Sequence, residues 1–175
     1  MSTVTNWAER FAEIVSFVGV SDEDRQLIKA SGPLIVKHAR QINDFVYNHI
    51  LEYPEARKFF VTDQDEPDGP RIEANKETMI SWLRATAAAP SNDGFARYLT
   101  ATSQMHKNIP LHRPGLTPVP PRYIIGIISC YQTVIADLLQ KNMEDTTLVL
   151  RTSVAWNKWL MAQINLLLAS YLVEE

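Results

Sequence analysis

Phe95-Ala96-Arg97-Tyr98-Leu99-Thr100-Ala101-Thr102-Ser103-Gln104-Met105-His106-Lys107 decides the fold class. Phe95, Tyr98, Leu99, Thr102 and His106 recur at steps of three and four residues, so a helix gathers them on one face. Pro90-Ser91-Asn92-Asp93-Gly94 closes the segment on one side, and a loop with Pro110, Pro114, Pro118, Pro120 and Pro121 closes it on the other.

The same period continues outward. Downstream, Arg122 to about Lys141 carries Ile124, Ile125, Ile127, Ile128, Tyr131, Val134 and Leu138. A last helix, Asp145 to about Leu172, carries Trp156, Trp159, Leu160, Ile164 and Leu168. Upstream, Arg71 to about Ala87 has Ile72, Met79, Ile80 and Leu83 on its apolar side, after an acidic, turn-rich loop from Thr62 to Pro70. Pro54 starts a short helical turn ending at Phe59-Phe60. Before it, a long helix to about Tyr53 is expected to bury Ile35, His38, Ile42, Phe45, Val46 and Ile50, with Gly32-Pro33 interrupting or kinking the pattern. Ser21, followed by Asp22, Glu23 and Asp24, suits a helix N-terminus. A short first helix spans about Asn6 to Phe17. No alternating apolar and polar run bounded by hairpin turns occurs, so the class is all-α.

The 175 residues suffice for one domain with a sizeable core but are short for two. Hydrophobic residues make up 46% and charged residues 21%, the balance of a globular protein. The net charge of −3 and the scattered Lys and Arg argue against nucleic acid or an anionic membrane as partner. One cysteine, Cys130, allows no internal disulfide, and no Cys/His spacing suggests zinc. The first residues lack the basic and apolar regions of a secretory signal, and no uninterrupted apolar run spans a bilayer, so a cytoplasmic protein is expected. The last two helices are apolar over more than one stripe. Either they are the core, or they form a homodimer interface as a four-helix bundle.

None of His38, His49, His106 and His112 pairs at a helical metal spacing, and no Ser or Cys lies in a nucleophile elbow. Asp63 and Asp65 lie in a solvated loop. Hydrolytic or transfer chemistry has little support, and no enzyme is expected. His106 stands apart, near the end of an amphipathic helix on its apolar face. A lone histidine there is more often a hydrogen-bonded core residue; alternatively, a neutral imidazole can direct one nitrogen into an apolar pocket, as a five-coordinate haem iron requires. Tyr47, beside Phe45 and Val46, is either an amphipathic residue reaching the surface or a buried hydroxyl that needs a partner. Met79 is either core filler or a thioether able to approach a haem iron.

Five segments resemble the globin domain of the globin-coupled sensors and their single-domain relatives, the protoglobins, over nearly the whole chain. They are Phe17–Asp24, Asp44–Glu55 with its Tyr and Pro-Glu corner, Lys76–Leu83 with Trp82, Ser103–His106, and Pro120–Ile125. The resemblance implies a globin fold with an added N-terminal helix: residues 1–20 as an extension and 21–175 as the globin core. It implies haem b (iron protoporphyrin IX) held between distal and proximal helices, with His106 as proximal ligand. It implies Tyr47 as donor to a bound diatomic gas (oxygen, carbon monoxide or nitric oxide) and Met79 over the distal face, a possible second iron ligand. Phe45, Val46, Asn75, Trp82, Met105, Tyr123 and Ile127 complete the implied pocket. Departures are Ser103 where the family commonly has Gly, and Val46 and Met79 where protoglobins have bulky aromatics. The alternative is a haem-free globin-like interaction module; such relatives typically lack a credible proximal histidine. Val173-Glu174-Glu175 directly follow the last helix, as in a single-domain globin or the sensor part of a longer signalling protein.

Overall fold

Five of the helix starts in this chain are held by side-chain caps. Asn6, Ser21, Asp68, Asn92 and Asp145 each accept a hydrogen bond from an amide two or three residues on, satisfying donors that the first turn leaves open. Ser21 and Asp24 form a reciprocal capping box. A computed structural model describes residues 6–108 and 117–172. Among them run α1 (Trp7–Phe17), α2 (Asp22–Lys37), α3 (Ala39–Glu52), α4 (Pro54–Arg57), α5 (Gly69–Ala87), α6 (Asp93–Lys107), α7 (Pro121–Asn142) and α8 (Thr146–Leu167). The described residues contain no strand, only an isolated bridge between Val61 and Pro67. His112, Pro110, Pro114 and Val173-Glu174-Glu175 lie outside the described residues.

Two boundaries differ from the sequence reading. Gly32-Pro33 does not break the chain: α2 continues through Pro33, and the break falls at His38, whose amide is shared between the Leu34 and Ile35 carbonyls. Pro33 forgoes one hydrogen bond, a loss tolerated because Gly32 presses against α5. A Cβ on Gly32 would sit 3.2 Å from both Cβ and the carbonyl oxygen of Ala87. The last helix ends at Leu167 rather than Leu172, passing into turns.

α8 is the axis of the core. Ala155, Trp156, Trp159, Leu160, Ala162 and Gln163 are buried along it, and α1, α2, α6 and α7 pack around it. α1 belongs to this core, since Phe11 packs on Phe95 and Trp159 at ring separations of 5.9 and 5.4 Å. α5 lies against α2 and α3, and α7 against α8 and α3. By length and composition alone α7 is apolar enough to cross a membrane, yet its Ile124, Ile128, Tyr131, Ile135, Leu138 and Leu139 are buried in the protein.

A buried polar chain fixes how α5 meets α8. Trp82 Nε1 donates to Gln163 Oε1 at 3.0 Å, Thr86 Oγ1 donates to the same oxygen at 3.3 Å, and Trp159 Nε1 donates to the Thr86 carbonyl at 3.0 Å. Trp156 Nε1 donates to Ser31 Oγ at 2.9 Å, bringing α2 to the same axis. Indole donors removed from water need such acceptors.

Candidate functional site

α6 packs on α1 and α8, while α3 packs on both α5 and α7. An apolar cleft lies between α6 and the α3, α5 and α7 helices. α3 contributes Val46, Tyr47 and Ile50; α5 contributes Thr78, Met79 and Trp82; α6 contributes Tyr98, Thr102 and His106. α7 contributes Tyr123, Ile124, Ile127, Ile128 and Tyr131, with Ala56, Phe59 and Phe60 from the turn after α3 closing one end. About 900 Å³ lies between these walls, part of it open to solvent. The lining is almost wholly apolar, so the space suits a largely apolar ligand.

His106 is set in place by the backbone at the end of α6. Its carbonyl accepts from the Val119 amide at 2.9 Å, and the Tyr171 hydroxyl donates to the Val119 carbonyl at 2.8 Å. The Ser170 amide donates to Ser103 Oγ at 3.0 Å, and the Lys107 ammonium to the Ser170 carbonyl. The residues after α8 thus clamp the turn that carries His106. Burial pushes the imidazole pKa below its usual value, so the ring is neutral at pH 7. Its Nδ1 is buried with no hydrogen-bond partner. A neutral buried imidazole is the form that ligates a metal.

Tyr47 faces the cleft from α3. It is buried, with the edge of its ring against Phe60 at 5.5 Å, and the Lys76 ammonium lies 5.9 Å from its ring centre. Burial pushes the phenol well above its usual pKa, opposed by the nearby Arg71 charge, so the hydroxyl keeps its proton and can donate. Tyr131, deeper in the cleft, gives its hydroxyl proton to Asn43 Oδ1 and packs edge-on to Trp82 at 5.0 Å.

Of the residues singled out in the sequence, Val46, Tyr47, Met79, Trp82, His106, Tyr123 and Ile127 meet in this cleft. Three do not. Phe45 is 50% exposed, because the buried stripe of α3 runs through Ile42, Val46 and Ile50; it stacks on His49 instead. Met105 is 64% exposed, since one residue's step turns it about 100° away from His106. Asn75 is half-buried, one turn of α5 before the cleft wall that Thr78 and Met79 begin.

The all-helical architecture agrees with comparison to known proteins. The Protoglobin family model matches residues 8–175. The chain belongs to the protoglobin family. No curated protein matches it. The globin domain of a Geobacter sulfurreducens globin-coupled sensor superposes with a TM-score of 0.73 at 21% identity, covering 91% of this chain and 96% of that one. The globin domain of Escherichia coli DosC, in its ferrous form, gives a TM-score of 0.67 at 12% identity, covering 94% and 99% of the two chains. Its ferric form gives 0.68 at 13%, covering 91% and 97%. These superpositions show the globin fold.

Sequence reading missed several walls of this protoglobin cleft. Tyr98 and Thr102 carried a signal, for they stand eight and four residues before His106 on the same helix face. Tyr131 carried one too, at steps of four and seven from Ile127 and Ile124. Phe59 and Phe60 reach the cleft through the path of a loop, which residue spacing does not encode.

Proposed function

We propose that this protoglobin domain binds haem in the cleft and, through it, a diatomic gas such as oxygen, carbon monoxide or nitric oxide. The observation that carries the reading is the His106 imidazole, neutral and buried, with an unpartnered Nδ1, at the wall of an apolar cleft. That donor set fits an iron porphyrin, whose flat ring needs apolar walls and whose metal needs one neutral nitrogen. Haem b, when bound, supplies an iron centre able to take up a small gas.

The chain's own residues do the rest. His106 would hold the iron, and the clamp from Val119, Ser170 and Tyr171 would limit how far it moves. Tyr47 keeps its proton and would donate it in a hydrogen bond to a polar ligand in the cleft. Val46, Met79, Trp82, Tyr123 and Ile127 would exclude water from both faces of the ring. A role as carrier or sensor in the cytoplasm, without enzymatic turnover, belongs to the same proposal. So does a homodimer through α7 and α8, supported by Ile125, Leu150, Val154 and Met161, large apolar side chains left at the surface of these helices.

Titration of the purified protein with haem, followed by visible absorption, tests this. A sharp Soret band that shifts under carbon monoxide, and is lost or grossly altered in a folded His106→Ala variant, is expected. A folded wild-type protein that takes up no haem would instead favour an interaction module.

A further inference from the structure

Lys76 holds an uncommon position for a lysine. Its side chain is only 11% exposed, and Nζ donates to Asp44 Oδ1 at 2.8 Å and lies 3.3 Å from Glu73 Oε1. Asp44 stands one turn before Tyr47 on α3, and Lys76 one turn before Met79 on α5. The Lys76–Asp44 pair therefore joins the two helices that bring Tyr47 and Met79 to the cleft, while neither partner lines the cleft itself. Arg40 also meets Asp44, Glu73 and Glu77, but its own side chain is about half exposed, so its share of the pairing is small.

The Lys76 ammonium, on a side chain only 11% exposed, is a different case. It lies 5.9 Å from the centre of the Tyr47 ring, at the outer range of attraction between a cation and a ring face. Phe60 meets the same ring at 5.5 Å. Phe60 and Lys76 are ring contacts of Tyr47, and the Arg71 charge also reaches its phenol. Charge-assisted bonds to Asp44 and Glu73 keep the ammonium from swinging away.

We infer that Lys76, held by Asp44, is a positioning residue for Tyr47, keeping the ring in place against Phe60 so that its hydroxyl faces the cleft ligand. The inference rests on the reading of Tyr47 as a donor to bound gas. It assigns Lys76 no contact with haem or gas.

The test uses haem-loaded protein carrying tyrosine labelled with carbon-13 at Cζ, the Tyr47 resonance being assigned by its loss in Tyr47→Phe. Lys76→Met keeps the length of the side chain and removes its charge. The Tyr47 resonance should move, and carbon monoxide and oxygen should dissociate about three- to tenfold faster in their respective measurements. In the Tyr47→Phe background the same substitution should add nothing, and Lys76→Arg should restore most of the wild-type behaviour. An unmoved resonance in a folded Lys76→Met protein overturns the inference, as does an equal acceleration in the Tyr47→Phe background. Should Lys76→Met fail to fold, Asp44→Asn takes its place with the same expected signs. Wild-type protein that takes up no haem defeats the gas-binding reading alone; the resonance then still decides whether Lys76 holds the ring.

Discussion

The axis along α8 and the cleft between α6 and the α3–α5 pair differ in how far their polar atoms are paired. Around α8, Trp82, Trp156 and Trp159 each find an acceptor for their indole proton, and Gln163 and Thr86 serve as the shared junction. Thr152 Oγ1 is the exception on that helix. In the cleft, His106 Nδ1 is buried without a partner, and burial drives the Tyr47 phenol and the His106 imidazole toward their neutral forms. A closed polar network stabilises a fold by specifying one packing. A polar atom left open inside an apolar space lowers stability and becomes useful only when a ligand completes it.

Removing a polar atom from each region should therefore have different consequences. Gln163→Leu takes the acceptor from Trp82 and Thr86 together. It should cost about 2–4 kcal/mol in urea unfolding, two stranded donors in a buried network. A loss below the error of the measurement would show that the network does not hold α5 to α8. Tyr47→Phe makes a similar deletion in the cleft. It should leave unfolding within about 0.5 kcal/mol and speed oxygen dissociation about tenfold, the equivalent of about 1.4 kcal/mol. An unchanged dissociation rate would remove Tyr47 from the proposed donor role.

Acid should separate the regions most gently. The folded-state pKa of His106 lies below the ordinary 6.5, because burial disfavours the cation. The unfolded chain thus takes that proton first, and stability is complete above pH 6.5 and lost as pH falls through the folded value. Asp24 ties α2 to Lys158 on α8. Burial raises its pKa, but hydrogen bonds from Ser21 and Lys158 outweigh that and hold it below the ordinary 3.8. Its contribution is complete above pH 3.8 and lost as pH falls through the folded value. Unfolding of haem-free protein measured across pH should therefore weaken in two stages, cleft first. His106→Gln should flatten the upper stage and Asp24→Asn the lower; a single stage insensitive to His106→Gln would contradict the assignment.

Much of the fold was legible because apolar residues repeat with the helix period and caps announce the starts. Ser21, Asn92 and Asp145 stand where the structure caps α2, α6 and α8. Pro33 misled, since local chemistry favours a break there while the tight contact of Gly32 with α5 keeps the helix whole. The site was legible where it is carried on helix faces. His106 and Met79 fall on stripes that periodicity defines, and Tyr98 and Thr102 could have been added from the same stripe. Phe45 and Met105, implied by the resemblance, lie off the cleft because one step along a helix turns a side chain away from its neighbour's face. Phe59, Phe60 and the Lys76–Asp44 bridge arise only when separate elements meet, and no spacing along one helix encodes that.

The most direct test of the account replaces the His106 side chain and then supplies it from solution. His106→Gly should bind haem weakly, with an altered Soret band, and free imidazole should restore a wild-type-like ferrous spectrum and its shift under carbon monoxide. A His106→Gly protein whose haem spectrum already matches wild type, and ignores imidazole, would contradict the claim that His106 holds the iron.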